Sequence, residues 1–230
     1  MKKKTLMEKD YYPIVAKWLK NSKHCFKTEI TSGLSYGKID VYGVRDIGGD
    51  HCGEIETISV EVKRDNEAFG TASGQALGYK VYAHRVYLAV ARETGFSDDE
   101  ISIANHLGIG LIHIKGMKCV EILTSPHYTP LSRLHLRLLE NLGLGFCQLC
   151  GCCVESGSKS NHFGNTAYNM ENALIQDKGL MFWNFAVGLR KKKLIHPDNN
   201  DDKSFERRFL CKDCVNTMKQ WVDASIKIAK

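Results

Sequence analysis

Two segments set the fold expected of this chain: GKIDVYGV at residues 37–44 and TISVEVK at residues 57–63. Each alternates apolar and polar side chains and is enriched in β-branched residues, which is the pattern of a β-strand. The connection Asp46–Glu54 contains Gly48, Gly49 and Gly53 and is typical of a hairpin. The sequence therefore predicts two paired strands, Lys38–Val44 and Thr57–Val62.

Pairing of these strands would bring two carboxylates, Asp40 and Glu61, close together. The two-residue period of a strand places Glu61 and Lys63 on one face and leaves Val62 to anchor in the core. Magnesium needs only one or two carboxylates, because waters and substrate phosphate oxygens complete its shell. A lysine on the same face can position or deprotonate the attacking water, or neutralise charge on the phosphate. The leading hypothesis is therefore a metal-dependent nuclease.

Three short motifs follow one another in this region: Gly37-x-x-Asp40, Glu61-x-Lys63 and Gln75-x-x-x-Tyr79. The series resembles the PD-(D/E)xK nuclease superfamily, and the spacing of the last motif resembles its RecB-like branch. The resemblance extends over roughly residues 5–123. It implies a restriction-endonuclease-like α-β-β-β-α-β core, an α/β fold in which helices flank a mixed sheet.

The resemblance also implies a role for each matched residue. Asp40 and Glu61 would bind Mg²⁺ or Mn²⁺, and the carbonyl of Val62 would assist. Lys63 would be catalytic, and Gln75 would orient water or substrate.

The sequence departs from the superfamily pattern at two points. Ile39 stands where the superfamily name has proline, a residue that the metal does not need. RecB-like members often carry a histidine on an early helix, and here only His24 is available. Glu8, on a predicted N-terminal helix, and Glu29 compete to supply a third carboxylate near the metal. Tyr79 is a further candidate residue of the site.

The remaining pattern predicts the other elements of the α/β core. The predicted helices are Leu6–Lys20, Glu67–His84 and Asp98–Leu107, and the further strands are Phe26–Ile30, Val86–Val90 and Gly110–Ile114. Ser97 or Asp98 would cap the third helix. Gly70, Gly74 and Gly78 recur in the second helix and predict its close approach to the sheet, since each glycine otherwise costs about 1 kcal/mol of helix stability.

Pro126 and Pro130 predict a boundary between two domains, residues 1–125 and residues 131–230. The second domain would begin with an amphipathic helix, Leu131–Leu142, that ends at Gly143. Further helices are predicted at Ala167–Gln176, Leu180–Lys193 and Val215–Lys230.

Two C-x-x-C pairs in this second domain predict a structural zinc site, because four thiolates close a tetrahedral shell. The expected ligands are Cys147, Cys150, Cys211 and Cys214. The pairs resemble a zinc-ribbon or treble-clef knuckle with an insertion, which makes the domain small and mainly helical. Cys152, Cys153 and His162 are further candidates for the shell.

The alternative cofactor is an iron-sulfur cluster, since some RecB-like nucleases hold one with a cysteine before the core and three after it. The cysteines that match this arrangement are Cys25, Cys147, Cys150 and Cys153. Zinc is preferred because it uses both C-x-x-C pairs. Cys52 and Cys119 are expected to be bystanders.

The chain has 230 residues and a formal net charge of +6, which suits a partner made of phosphates. Its candidate nucleic-acid contacts are Arg190, Lys191, Lys192, Lys193, Arg207 and Arg208. The nine cysteines are odd in number and argue against a disulfide framework. Lys2–Lys4 are followed by acidic residues instead of an apolar stretch, and no segment has transmembrane length, so a cytoplasmic protein without a membrane partner is expected.

The sequence supports two candidate functions. The first is a magnesium-dependent DNA nuclease, endo- or exonucleolytic, in DNA repair, restriction or defence against foreign DNA. DNA is preferred over RNA on the family resemblance, and a homodimer is an open possibility. The second is a non-catalytic nucleic-acid-binding protein on a nuclease scaffold. The intact set of Asp40, Glu61 and Lys63 favours the first.

Overall fold

The computed structural model describes residues 6–34, 37–48, 53–65, 67–147, 149–155, 168–169, 209–211, 213–214, 216–218 and 220–221. Contacts between Cα atoms divide the chain into two compact units, residues 1–47 with 55–138 and residues 48–54 with 139–230. The short segment 48–54 thus joins the second unit, although the strands on either side of it belong to the first.

A six-stranded sheet forms the centre of the first unit. Its strands, in spatial order, are β1 Cys25–Leu34, β2 Gly37–Asp46, β3 Ile55–Arg64, β4 Arg85–Ala91, β5 Gly110–Lys115 and β6 Lys118–Leu123. The β3–β4 and β4–β5 pairs are parallel and the other pairs are antiparallel. The helices are α1 Glu8–Ser22, α2 Phe69–Gly78 and α3 Asp98–Leu107. The predicted α/β core, a mixed sheet flanked by helices, is confirmed.

The core of this unit lies between α1 and one face of the sheet. Val15 and Leu19 of α1 pack there with apolar residues of β2 to β5, among them Val41 and Val62. Val62 is fully buried, as its position between Glu61 and Lys63 predicts. Because β3 is central, nearly all of its residues are buried, and the polar ones among them need partners inside the protein.

Two helix ends follow from local chemistry. The Ser97 hydroxyl accepts the N–H of Glu100, and the Glu100 carboxylate accepts the N–H of Ser97 at 2.8 Å, so Ser97 is the cap of α3. Gly108 ends α3 with a φ of 67°. A Cβ at Gly108 would collide with the hydroxyl of Tyr128, so the position requires glycine for two reasons.

The second predicted helix is shorter than expected. It spans Phe69–Gly78, and a 3₁₀ turn, Tyr79–Val81, follows in place of the helix expected to His84. A Cβ at Gly70, Gly74 or Gly78 would meet no atom of the described chain within 4 Å. The predicted close approach of these glycines to the sheet is therefore wrong, and Ala72 and Ala76 form the buried side instead.

The strand β6 was not predicted. Its sequence KCVEIL alternates exposed and half-buried positions at the edge of the sheet. With charged residues at two of its six positions and little buried surface, its pattern is weak as a sequence signal.

Helix α4, Ser132–Asn141, carries the chain from the first unit to the second. The second unit contains β7 Leu144–Phe146 paired with β8 Cys153–Glu155, and β9 Tyr168–Asn169 paired with β10 Phe209–Leu210. The helix predicted from Ala167 is wrong at its start, because Tyr168 and Asn169 form β9. The described residues from 213 to 221 are helical, so helical structure is already present two residues before the predicted start at Val215.

Several predicted features lie outside the described residues. They are the helix Leu180–Lys193, the rest of Ala167–Gln176, Cys52, His162 and the basic residues Arg190, Lys191, Lys192, Lys193, Arg207 and Arg208. Within the described part of the chain, no helix has the length and apolar character needed to cross a bilayer.

Candidate functional site

The candidate site lies where β2 and β3 separate. Their antiparallel pairing runs from Asp46 and Ile55 to Val41 and Val60. One residue further along β2, Oδ2 of Asp40 accepts the backbone N–H of Val62 at 2.9 Å. The side chain of Asp40 thus takes the place of a strand neighbour and is held at the base of the gap.

The other oxygen of this carboxylate has a donor from α1. Oδ1 of Asp40 accepts the hydroxyl of Tyr12 at 2.7 Å. Glu8 lies one helical turn before Tyr12, and its Oε1 is 3.4 Å from the same hydroxyl. The start of α1 therefore forms one wall of the site.

Glu61 is almost completely buried, with 4% of its surface exposed. Its Oε1 pairs with Nζ of Lys63 at 2.9 Å, and its Oε2 contacts the hydroxyl of Tyr79. Burial raises the pKa of Glu61, and the Asp40 charge adds to the rise, while hydrogen bonds from Tyr79 and Lys63 oppose it. The balance favours a proton on this carboxyl relative to an ordinary glutamate.

Tyr79 connects the two separated strands. Besides Glu61 of β3, its hydroxyl lies 2.7 Å from the carbonyl oxygen of Lys38 in β2. A phenol has one proton and a carbonyl oxygen can only accept. The single proton of Tyr79 is therefore shared between the Glu61 carboxyl group and the Lys38 carbonyl oxygen.

Lys63 is surrounded by carboxylates. Its Nζ lies 2.9 Å from Glu61, 3.3 Å from Glu67 and 3.6 Å from Glu8. Burial alone would lower the pKa of Lys63, but the hydrogen bond and charge of Glu61 and the charges of Glu8 and Glu67 raise it above its ordinary value. Lys63 is therefore an ammonium ion at neutral pH.

An open cleft of about 610 Å³ connects this arrangement with solvent. Its lining residues are Gly37, Lys38, Asp40, Glu61, Lys63, Gly74, Gln75, Gly78, Tyr79, Val81, Tyr82 and Leu134. All residues of the three sequence motifs thus meet in one cavity. Glu8 reaches Lys63 beside it, whereas Glu29 is an exposed side chain of β1 opposite Tyr42.

A cluster of four cysteines in the second unit can bind a metal ion. Its members, Cys147, Cys150, Cys152 and Cys211, have sulfur atoms that all lie within 4.8 Å of one another. Three of the four predicted ligands are therefore together, and Cys152 joins them. The fourth, Cys214, follows in the next helix, and its backbone N–H donates to the sulfur of Cys211 at 3.4 Å.

The thiol groups of this cluster lie close to one another. Burial raises the pKa of Cys214, and side-chain contacts with Cys211, Cys150 and Cys147 raise it further. Burial alone would raise the pKa of Cys147, but backbone N–H groups from Cys150, Cys211 and Leu149 lower it to about 7. A cation would relieve the repulsion among thiolates, and an N–H–stabilised thiolate is a ready ligand.

The other cysteines take different places. Cys25 packs in the apolar core of the first unit, where burial raises the pKa of its thiol to about 12. Cys119 packs against the same core, as a bystander would. Cys153 is buried in β8, and its N–H donates to Gly53. Of the four cysteines that match the iron-sulfur arrangement, Cys25 thus packs in the core of the first unit, and Cys153 pairs in β8 of the second.

Sequence reasoning missed Tyr12 and Glu67, which contact Asp40 and Lys63 of the candidate site. Tyr12 has a weak signal, because it lies four residues after Glu8 and so on the same side of α1. Glu67 is four residues after Lys63, but the two are separated by the end of β3, where no regular period applies. Their contacts depend on how α1 and the chain after β3 meet the sheet.

No protein-family model matches the sequence, and no curated protein matches it. Among solved structures, the chain is similar to a protein of unknown function from Silicibacter pomeroyi, with 19% sequence identity and a TM-score of 0.42. The similarity covers 59% of this chain and 83% of that one.

Proposed function

We propose that the protein is a metal-dependent nuclease that hydrolyses phosphodiester bonds of DNA. The observation that carries the proposal is the meeting of Asp40, Glu61 and Lys63 in one open cleft, at the point where β2 and β3 separate. Glu61 and Lys63 are buried polar residues, and Asp40 is partly buried. Buried polar groups of this kind usually have a structural or chemical purpose.

The residues present fit a divalent cation. The carboxylates of Glu61, Glu8 and Glu67 lie around the ammonium group of Lys63, and the Tyr12 hydroxyl links Glu8 to a fourth carboxylate, that of Asp40. Their oxygens are the hard ligands that Mg²⁺ or Mn²⁺ takes, and their charge exceeds that of Lys63. Asp40 and Glu61 would hold the ion, with the carbonyl of Val62 as a third candidate ligand. A bound ion of this class polarises a phosphate and lowers the pKa of a water that it carries.

The roles of the other residues follow from their charge and position. Because Lys63 is protonated, it neutralises charge on the phosphate more readily than it accepts a proton from water. Gln75 is exposed on the wall of the cleft and can orient substrate or water. Tyr79 holds Glu61 in place and links it to β2.

The experiment that tests this function is cleavage of a panel of linear, circular, single-stranded and branched DNA with and without Mg²⁺. We expect hydrolysis that EDTA abolishes, and a loss of at least about 1,000-fold in Asp40→Asn, Glu61→Gln and Lys63→Ala. Glu29→Gln is the matched control, since Glu29 lies outside the cleft. Undiminished cleavage by Asp40→Asn would refute the assignment, and binding without any cleavage would favour the non-catalytic alternative.

For the cysteine cluster we propose structural Zn²⁺ held by Cys147, Cys150, Cys211 and Cys214. Sulfur atoms around a tetrahedral zinc are about 3.8 Å apart, given zinc–sulfur bonds of about 2.3 Å. The Cys150 and Cys211 sulfurs are 3.8 Å apart, whereas those of Cys150 and Cys152 are 3.2 Å apart. This spacing supports Cys152 as a neighbour of the shell. The closed shell would leave the metal a structural role in a zinc-knuckle domain.

The proposed partner is DNA, bound through the basic residues that the sequence singles out, Arg190 to Lys193 with Arg207 and Arg208. If they contact phosphates, affinity falls log-linearly with salt because condensed counterions are released. Neutralising Arg190 to Lys193 should flatten that slope without changing the metal requirement. The Asp40→Asn protein, challenged with DNA and RNA of equal length, decides between the two nucleic acids.

A further inference from the structure

We propose that Tyr12 is a positioning residue of the metal site, which fixes the carboxylate of Asp40 before the cation binds. The inference rests on the proposed function, because it assigns Asp40 as a metal ligand. It adds a residue from outside the three sequence motifs.

The first support is the geometry of the Asp40 carboxylate. Its two oxygens accept one donor each, the Tyr12 hydroxyl at 2.7 Å and the Val62 N–H at 2.9 Å. Two donors on opposite oxygens fix the plane of the group. Each oxygen retains a further lone pair, so the hydrogen bonds leave the carboxylate able to bind a cation.

The second support is the position of the hydroxyl relative to the rest of the site. It lies 2.7 Å from Asp40 and 3.4 Å from Glu8, while Glu8 in turn lies 3.6 Å from Nζ of Lys63. Its single proton is directed by the shorter contact to Asp40. Without that proton the Asp40 oxygen and the Glu8 carboxylate would have no donor between them, and their repulsion would displace Asp40.

The ring and the hydroxyl of Tyr12 have separable functions. The ring packs against the apolar core, and the hydroxyl reaches the site. Tyr12→Phe therefore keeps the packing and removes only the hydrogen bond. Tyr11 packs against the same core, and Tyr11→Phe is a matched control one residue away.

Hydrogen-bond partners of metal ligands typically change metal affinity by about 10- to 100-fold when removed. The test is calorimetric titration with Mn²⁺ of the full chain, its cysteine cluster loaded with Zn²⁺, in wild-type, Tyr12→Phe, Tyr11→Phe and Asp40→Asn proteins. Cleavage is measured in parallel against Mn²⁺ concentration. We expect Tyr12→Phe to raise the Mn²⁺ dissociation constant about 10- to 100-fold, with kcat at saturating Mn²⁺ within about threefold of wild type. Tyr11→Phe should bind as wild type does.

The outcomes separate this proposal from the function on which it rests. Suppose that the wild-type protein binds Mn²⁺ and that Asp40→Asn abolishes this binding. If Tyr12→Phe then leaves the affinity unchanged, only the role of Tyr12 is overturned. A fall in kcat at saturating Mn²⁺ with unchanged affinity would also overturn it, because it would assign Tyr12 to the chemical step. A wild-type protein that binds no Mn²⁺ through Asp40 would refute both proposals. In an Asp40→Asn background, Tyr12→Phe should have no further effect on affinity, as expected of two groups that act through one contact.

Discussion

Tyr79 donates its hydroxyl to the carboxyl group of Glu61, and this contact fixes the end of α2 to the centre of β3. The hydrogen bond lowers the pKa of Glu61 against the opposing effect of burial. Tyr79→Phe should therefore raise that pKa further and move the acidic limb of the cleavage profile to higher pH. We expect a loss of stability of about 1–2 kcal/mol from the missing hydrogen bond. Rate profiles from pH 5 to 9 test this, and an unshifted limb would contradict it.

The glycines of α2 give a second prediction, since they face open space instead of the sheet. Gly70→Ala and Gly74→Ala should each stabilise the first unit by about 1 kcal/mol, because alanine is the better helix former. Larger side chains should have different effects at the two positions. Gly74→Leu fills part of the cleft and should raise KM for DNA, whereas Gly70→Leu lies outside the cleft lining and should not. Equal KM values for the two leucine variants would show that DNA does not approach this side of α2.

The cysteine cluster predicts one outcome for the four proposed zinc ligands and a different one for Cys152. Cys147→Ser, Cys150→Ser, Cys211→Ser and Cys214→Ser should each lose Zn²⁺ and unfold the second unit, because metal binding and folding are coupled. Cys152→Ser should retain about one Zn²⁺ per chain. Elemental analysis and chelator titration provide the measurement. Zinc retained by Cys214→Ser but lost by Cys152→Ser would assign Cys152 to the shell, and iron in the purified protein would overturn the choice of metal.

Gly53 predicts a steric effect within the second unit. A Cβ at this position would lie 2.9 Å from Cα and Cβ of Cys152 and would also collide with the backbone nitrogen of Cys153. The carbonyl of Gly53 accepts the N–H of Cys153 at 3.2 Å, so the two segments cannot move apart without losing that bond. Gly53→Ala should destabilise the second unit by about 1–3 kcal/mol and speed Zn²⁺ release to a chelator. Gly70→Ala, with open space around it, is the control, and identical release rates in the two variants would contradict the prediction.

Two histidines of the first unit predict acid sensitivity. Nδ1 of His84 accepts the N–H of Thr57 at 3.1 Å, and Nε2 of His135 lies 3.2 Å from the Thr57 hydroxyl. Burial lowers the pKa of both rings to about 4, and His127 further lowers that of His84. The unfolded chain therefore binds more protons below its ordinary histidine pKa of about 6.5. The stabilisation of the folded state by these neutral rings is therefore fully present above about pH 6.5, and it is lost progressively as the pH falls towards 4.

The loss should reach up to about 3 kcal/mol for His135, which is the more buried of the two rings. Denaturant unfolding between pH 7 and pH 4 measures it. His135→Gln keeps a side-chain donor but does not titrate, so its stability should depend less on pH. Because acid also protonates the cysteine thiols of wild type and variant alike, only the difference between the two slopes is diagnostic. Parallel slopes would show that His135 is not responsible.

Local sequence was sufficient to predict the helices and strands whose determining residues lie within a few positions of one another. The alternation around Asp40 and Glu61 predicts β2 and β3, and the capping box of Ser97 and Glu100 sets the start of α3. The order Asp40, Glu61-x-Lys63 and Gln75-x-x-x-Tyr79 also predicts residues that the structure places in a single cleft. In each case the strand or helix period decides the direction of a side chain.

Tertiary structure decided what depends on neighbours distant in sequence. The glycines of α2 were predicted to face the sheet, yet the helix buries Ala72 and Ala76, because a helix has two sides and sequence period alone does not say which one packs. Residues Lys118–Leu123 form strand β6 because they pair with β5 at the edge of the sheet. Cys152 joins the cysteine cluster because the chain turns at Gly151, whose φ is 76°.

The sequence by itself determined a set of residues that line one cleft, because their spacing matches the periods of the strands and the helix that carry them. Only the tertiary structure decided how those residues are held: Tyr12 reaches Asp40 across 28 positions, and Tyr79 reaches Lys38 across 41. The physical reason is that a hydrogen bond depends on atoms a few ångströms apart, whereas sequence period predicts direction only within one helix or strand.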